Sequence, residues 1–213
     1  MKTVKGLTTQ VTRTEEFAVE SRPALDDHAF STDLGWMAIA WADEKLFGLV
    51  FGHPTRSAAE TALQRNLCSD EQDHHNILRS NVRQSASISA EAHDVMERLR
   101  QFAAGEPVDF DDVEVDTSHL TPFGQRVTAA CRAIPRGETC SYGRLATECR
   151  RPGAARAVGQ IMAKNRYPLV VPCHRVVGSG GGLGGYSAPQ GLRMKRKLLK
   201  MECCMPLTLP VPT

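Results

Sequence analysis

The sequence predicts two units in series, an α/β unit followed by a mostly α-helical one built around a helix-turn-helix. Three observations carry this. Two apolar runs, Gly35-Trp36-Met37-Ala38-Ile39-Ala40-Trp41 and Leu46-Phe47-Gly48-Leu49-Val50-Phe51, flank the polar Ala42-Asp43-Glu44-Lys45, which is the signal of a β-hairpin. Further on, two short helical patterns are separated by Arg150-Arg151-Pro152-Gly153, a spacing that reads as a helix-turn-helix. Charge is segregated along the chain: from Thr117 onward there are 15 Lys and Arg against 3 Asp and Glu (+12), while residues 1–116 hold 11 against 21 (−10). A basic C-terminal part is the electrostatic footprint of phosphate-backbone binding, and the acidic part would be repelled from such a partner. A merely solvated surface would explain the charge content but not its division.

Composition limits the alternatives. With 41% apolar and 23% charged residues in 213, the chain reads as a soluble globular protein with room for two cores. No stretch approaches a membrane span, and Met1-Lys2-Thr3-Val4-Lys5 lacks the apolar core of a signal peptide. An intracellular protein is expected, cytoplasmic or, in a eukaryote, nuclear, and without a membrane partner. The seven cysteines, Cys68, Cys131, Cys140, Cys149, Cys173, Cys203 and Cys204, are odd in number and form no disulfide framework. No CxxC pair exists, and His74 and His75 near Cys68 lack a second ligand pair, so no metal site is expected.

Residues 1–33 are polar, with Ser21-Arg22-Pro23 and Asp26-Asp27 offering little periodicity, and read as an extension carrying at most one strand. The α/β unit is expected over 34–116. After the hairpin a helix is predicted over 57–68, with Ser57 as N-cap and Glu60 closing a capping box. Asp70-Glu71-Gln72-Asp73-His74-His75 reads as a polar loop. A second helix is predicted over 90–102, where Ala92, Val95, Met96 and Leu99 fall at helical spacing and mark a core face. Residues 105–116 alternate apolar and acidic side chains and read as a short strand or a linker.

The second unit is expected over 117–204, with an irregular, proline-bearing tail over 205–213. It opens at Thr121-Pro122-Phe123, with proline at the first helical position, and runs through Val127, Ala130 and Cys131 to Ile134. Ser141-Tyr142-Gly143 starts a short helix, and residues 154–164 form another. In that helix Ala154, Ala155, Ala157 and Gly159 surround Arg156, so one long cation projects from a face of very small side chains. Such a face suits either close approach to a groove or tight packing against protein. The last helix, 191–203, carries Leu192, Leu198 and Leu199 on an apolar side, with Arg193, Lys195, Arg196, Lys197 and Lys200 elsewhere.

The chemistry centres on Pro172-Cys173-His174-Arg175-Val176, which follows the apolar run Leu169-Val170-Val171, read as a strand, and precedes a glycine tract. A single cysteine is more often an inert buried thiol than a nucleophile. Here the preceding proline restrains the backbone at the strand end and holds the thiol in one place. His174 is the obvious base, but neighbours on an extended segment point to opposite faces. Proton transfer then requires a water or a sharp turn, with a third group to orient the imidazole. The tract Gly178-Ser179-Gly180-Gly181-Gly182 has neither the lysine nor the strand-to-helix context of a phosphate loop.

This segment, with Asn165 before it and Gly184-Gly185-Tyr186-Ser187 after it, resembles the active-site signature of the O6-alkylguanine-DNA alkyltransferases. The resemblance extends from about Thr121 to Glu202. It implies a small ribonuclease H-like N-terminal domain followed by a winged helix-turn-helix-like domain. It also implies irreversible transfer of a methyl or other alkyl group from O6 of guanine, or O4 of thymine, in double-stranded DNA to Cys173, by a monomer acting once and needing no cofactor. In that reading Glu202 orients His174, which takes the Cys173 proton through a water. Asn165 braces the turn, and Tyr142 presses on the phosphate beside the target and donates a proton to the departing guanine. Arg156 fills the gap left by the flipped nucleotide, on a helix whose Ala154, Ala155, Ala157 and Gly159 enter the minor groove. Arg175 also falls on the DNA-binding side, and Val176, Gly185, Tyr186 and Ser187 form the substrate pocket. The sequence departs from a short family form at Ser187-Ala188-Pro189-Gln190-Gly191-Leu192, which holds two more residues than Tyr-Ser-Gly-Gly-Leu. Some relatives carry zinc in the N-terminal domain, but no matching ligand set is found here.

Two other readings stand beside this one. A non-catalytic protein that binds alkylated DNA or regulates transcription would use the same helix-turn-helix without a reactive cysteine. A thiol redox protein or cysteine hydrolase would need a resolving cysteine or an oxyanion hole beside Cys173. The sequence offers neither.

Overall fold

A computed structural model describes residues 25–68, 82–83 and 88–202. The polar loop at Asp70-Glu71-Gln72-Asp73-His74-His75, the expected bystanders Cys203 and Cys204, the tail from Met205 and the first 24 residues lie outside the described residues. Three strands form an antiparallel meander: β1 (Leu25–Thr32), β2 (Gly35–Ala42) and β3 (Lys45–His53). A short β4 (Val82–Arg83) runs parallel to β1, giving the order β3-β2-β1-β4. The hairpin turn is the one expected, and Asp43 and Glu44 both take positive φ (46° and 60°), as a two-residue turn that follows the strand twist requires. At the β1–β2 link Gly35 has φ 99°, and a Cβ there would stand 2.8 Å from the His53 carbonyl oxygen. β1 is the one strand allowed for in the stretch read as an extension, and because it pairs with β2 the sheet unit begins before residue 34. Its Asp26-Asp27-His28 core hides the alternation; Leu25 and Phe30 are its buried side chains.

The sheet is covered on both faces. Successive side chains of β2 alternate sides, so Ala38, Ala40 and Ala42 pack against α1 (Arg56–Leu67), while Met37, Ile39 and Trp41 enter the main core. The helix starts two residues earlier than expected. Thr55, not Ser57, is its N-cap, accepting from the Ala58 amide at 3.2 Å, and Glu60 pairs instead with Arg56 at 2.8 Å. On the other face lies α2 (Ala90–Ala104), capped by Ser89, with Ala92, Val95, Met96 and Leu99 buried as their spacing predicts. Residues 105–116 are a linker with a single parallel bridge, Leu46 to Val115, rather than a strand. It is tied down by Arg98, whose guanidinium grips both oxygens of Asp112, and by Arg132, which donates to the carbonyls of Phe110 and Asp111.

The C-terminal half contains α3 (Pro122–Arg132), β5 (Cys140–Ser141), α4 (Tyr142–Glu148), α5 (Ala155–Ala163), β6 (Val176–Val177) and α6 (Leu192–Met201). Thr121 and Ser141 cap α3 and α4, as the sequence indicates. β5 and β6 pair in parallel, bringing the residues after Cys173 beside the start of α4. Two expectations are corrected. Leu169-Val170-Val171 is a tight turn and not a strand: Leu169 has φ 76°, and the Val171 amide donates to the Tyr167 carbonyl at 2.7 Å. On α6 Leu192 is 43% exposed, and Met194 joins Leu198 and Leu199 as the buried set, because the helix turns its first residue outward.

One core joins the halves, running from Ile39 and Leu49 through Leu99 and Val127 to Val171 and Leu198. A backbone bond from the Leu49 amide to the Arg166 carbonyl, 2.8 Å, stitches β3 directly to the segment that carries the reactive turn. Among the described residues no helix is long and apolar enough to cross a membrane. Since Leu99 is fully buried in this shared core, Leu99→Ala is expected to lower unfolding stability by about 3 kcal/mol, read from the midpoint of urea denaturation.

Candidate active site

Pro172 leads into a single turn of 3-10 helix, Cys173–Arg175, so the cysteine sits at a helix start rather than at the end of a strand. The local geometry is closed by hydrogen bonds from the Cys173 amide to the Val171 carbonyl (2.7 Å) and from the Arg175 amide to the Pro172 carbonyl (2.8 Å). Asn165 braces the approach: its side-chain amide donates to the Val171 carbonyl at 2.8 Å, and its oxygen accepts from the Tyr167 amide at 3.0 Å. That clamps the whole 165–171 loop. Cys173 is buried, and burial pushes its thiol up; the Asn165 side chain, the charge of Lys195 and the His174 amide act in the opposite sense by favouring the thiolate.

Behind the cysteine lies a buried ionic group. His174 Nε2 stands 3.0 Å from Glu202 Oε1, with both side chains fully enclosed. The other ring nitrogen, Nδ1, has no protein partner, which leaves it available to a water. Arg175 holds the same carboxylate in a fork, Nε to Oε2 and a terminal nitrogen to Oε1, each 2.9 Å, and donates to the Ile134 carbonyl at 2.6 Å. Burial alone would raise the Glu202 carboxyl, but the hydrogen bonds and charges of His174 and Arg175 outweigh it and bring the group down to about 2. Burial lowers His174, with Glu202 opposing, so the imidazole is neutral and able to accept a proton.

In front of the cysteine is a cavity of about 640 Å³. Its lining draws Tyr142 from α4, Ala155, Arg156 and Gly159 from α5, and Gly185, Tyr186 and Ser187 from the loop before α6. Gly184 is required here: with φ 67°, a Cβ would stand 2.8 Å from the Tyr142 ring and 2.9 Å from its hydroxyl. Burial first, then the nearby Cys173 charge, raises the Tyr142 hydroxyl, which therefore keeps its proton at neutral pH. Arg156 is exposed, and among the described residues it has no ion pair.

The residue that sequence reasoning missed is Lys195. It is fully buried, its ammonium donating to the carbonyls of Val176 (2.6 Å) and Gly185 (3.3 Å) and lying 5.8 and 5.9 Å from the ring centres of Tyr142 and Tyr186. Burial lowers it to about 8, with the thiols of Cys173 and Cys131 opposing. A signal was available. Lys195 stands at i with Leu198, Leu199 and Glu202 at i+3, i+4 and i+7, so it shares the inward face of α6.

Residues 122–204 match the family described as 6-O-methylguanine DNA methyltransferase, DNA binding domain. A methylated-DNA–protein-cysteine methyltransferase of Mycobacterium tuberculosis is 47% identical over 107 residues, which is 50% of this chain and 62% of the relative, and one from Salmonella typhimurium is 44% identical over 106 residues, 50% of this chain and 60% of the relative. The match thus spans under two thirds of those relatives. Among solved structures, Mycobacterium tuberculosis OGT in complex with DNA aligns with a TM-score of 0.64 and 32% identity over 83% of this chain and 92% of that one. The chain belongs to the 6-O-methylguanine DNA methyltransferase family.

Against the residues that the family resemblance singled out, the structure brings Cys173, Tyr142, Arg156, Ala155, Gly159, Gly185, Tyr186 and Ser187 to one cavity. His174, Glu202 and Asn165 stand behind or beside it. One expectation is corrected. Arg175, expected on the DNA side, turns inward with its side chain 12% exposed and engaged by Glu202, because the 3-10 turn rotates it away from the cavity. Ala154 and Ala157 are partly buried and pack against the main core. Val176 is buried, and its carbonyl accepts from Lys195. Beyond the loop of two extra residues, Glu202 reaches His174.

Two outcomes follow for this family member. Glu202 ordinarily titrates near 4.5 and is depressed to about 2 in the folded chain, so its stabilising contribution is complete above 4.5 and is lost as pH falls through 2. Acid titration of unfolding should show a loss on the order of 2–3 kcal/mol across that window, absent in Glu202→Gln. In Lys195→Met the thiolate loses a buried cation, so the pH profile of Cys173 alkylation by iodoacetamide should move upward by about one unit.

Proposed function

We propose that the chain repairs alkylated DNA by direct reversal, moving an alkyl group from O6 of guanine to Cys173. The observation that carries this is the placement of one thiol at the floor of a cavity whose opposite wall is a helix bearing Arg156, which has no ion pair among the described residues, with a neutral imidazole and a buried carboxylate behind it. The relatives' names give the same class of substrate, a methylated DNA, and a protein cysteine as acceptor.

The alkyl carbon of O6-alkylguanine is a soft electrophile, and a thiolate is its matching nucleophile. His174 takes the thiol proton through a water at Nδ1, and the imidazolium so formed is stabilised by Glu202. Arg175 keeps that carboxylate ionised and in place. Lys195 favours the thiolate over the thiol. The sulfur–carbon bond forms as the carbon–O6 bond breaks, and Tyr142 supplies a proton to the departing guanine. Because the lesion lies within the base stack, the nucleotide rotates out into the cavity, at a cost of a few kcal/mol that backbone contacts and Arg156 in the vacated space offset. The thioether does not reverse, so one molecule repairs one lesion, as a monomer and without a cofactor. O4-alkylthymine is the second base this site would accept.

The same reading divides the chain near residue 116 into a ribonuclease H-like sheet domain and a winged helix-turn-helix domain, with α4 and α5 as the helix pair and α5 facing the minor groove. Segregated charge supports it, since the basic part alone would meet the phosphates.

Intact mass spectrometry after mixing the protein with a duplex containing one O6-methylguanine should show a gain of one methyl mass, mapped to the Cys173 peptide and saturating at one equivalent. Cys173→Ala should abolish the gain and retain lesion binding. Unmodified wild-type protein that still binds the lesion tightly would sink the transfer reading and leave damage recognition alone.

A further inference from the structure

A buried tyrosine is most often core packing with a satisfied hydroxyl. Tyr167, 2% exposed, does more than pack. Its hydroxyl donates to the Asp116 carbonyl, 51 residues away in the chain. Asp116 is itself pinned to the sheet: its amide donates to the Leu46 carbonyl at 3.0 Å, and the Leu46 amide donates to the Glu114 carbonyl at 2.9 Å. The backbone of Tyr167 carries the loop before the cysteine. Its amide donates to the Asn165 side-chain oxygen (3.0 Å), and its carbonyl accepts from the Val171 amide (2.7 Å). The Val171 carbonyl in turn accepts from the Asn165 side-chain amide (2.8 Å) and from the Cys173 amide (2.7 Å). Three hydrogen bonds therefore lead from Asp116 through Tyr167 and Val171 to the Cys173 amide. The turn needs such support, since it holds Leu169 at φ 76°, a left-handed backbone that a bulky side chain adopts only under outside constraint.

We propose that Tyr167 is a positioning residue for the transfer to Cys173: its hydroxyl anchors the 165–171 loop to the sheet and, through the Asn165 side chain, fixes the thiol. This rests on the proposed transfer. Hydrogen bonds within a loop fix its shape but not its place against the rest of the molecule. The bond from the Leu49 amide to the Arg166 carbonyl ties the loop to β3 at one point, which leaves rotation open, and the Tyr167 hydroxyl supplies the second point. Asn165 receives that fixed geometry at both ends of the turn, and its side chain is also one of the groups that favour the Cys173 thiolate. Without the hydroxyl the loop keeps its internal bonds and shifts as a unit, taking the sulfur off the line of attack. One neutral hydrogen bond is worth about a fivefold change in an equilibrium, which sets the size of the effect.

The test uses Tyr167→Phe, which keeps the ring in the core and removes only the hydroxyl, together with Asn165→Ala and the double variant, all in the full chain. Three quantities are read: the saturated single-turnover rate of methyl transfer from an O6-methylguanine duplex, the DNA concentration giving half that rate, and the pH profile of Cys173 alkylation by iodoacetamide. Tyr167→Phe should lower the saturated rate about fivefold, leave the half-saturating concentration unchanged and move the iodoacetamide profile upward by about half a unit. In the Asn165→Ala background it should change neither rate nor profile. A variant that only melts at a lower temperature, with rate and profile unchanged, would show Tyr167 to be packing and overturn the proposal. So would losses that add to those of Asn165→Ala, or a loss confined to the half-saturating concentration. Absence of methyl transfer by the wild-type chain would instead overturn the alkyltransferase reading, and the iodoacetamide profile would still decide the role of Tyr167, which keeps the two failures apart.

Discussion

A buried carboxylate organises the turn at Cys173. Glu202, at the close of α6, binds the histidine and the arginine that follow that cysteine, so two of the three residues of the 3-10 turn are fixed by one side chain. An ionised carboxylate without such partners would be expelled from the interior, and a buried arginine without the carboxylate would be equally costly. The pair therefore forces α6, the turn and the Ile134 carbonyl at the end of α3 into one arrangement. Cys173 inherits its position from that arrangement, as a thiol held by its neighbours rather than by its own contacts.

The acidic N-terminal half is part of the same construction. β3 bonds to Arg166 directly, Asn165 and Pro168 line a cavity of about 510 Å³ beside Cys173 together with Leu49 and Phe51, and the core is continuous across the boundary. The sheet thus shapes the space around Cys173. Its negative charge would keep it clear of a polyanion while its apolar face supports the turn.

The chemistry of the site depends on opposed effects at short range. Burial raises the Cys173 thiol and lowers His174 and Lys195, while the charges that the same groups present to one another act in reverse. A neutral histidine beside an ionised glutamate can accept a proton, and an ammonium near a thiol favours its anion.

Much was written in the local sequence. The hairpin, the core stripe of α2 and the starts of α3 and α4 depend on periodicity and capping, which act within a few residues, while the grouping of Cys173, His174, Asn165, Tyr142 and Arg156 came from the resemblance to a family. What the sequence could not disclose depends on distance in the chain. β1 carries Asp26-Asp27-His28 and is a strand only because β2 pairs with it. Leu169-Val170-Val171 has the composition of a strand but no partner, and Asn165 bends it into a turn. Lys195 reads as one cation among five until α6 packs its inward face on the Val176 carbonyl, and Arg175 reads as a surface cation until Glu202 meets it. Local residue order decided which elements form; tertiary packing decided which charges are buried together, because the energy of a buried charge depends on partners that lie 19 and 27 residues away.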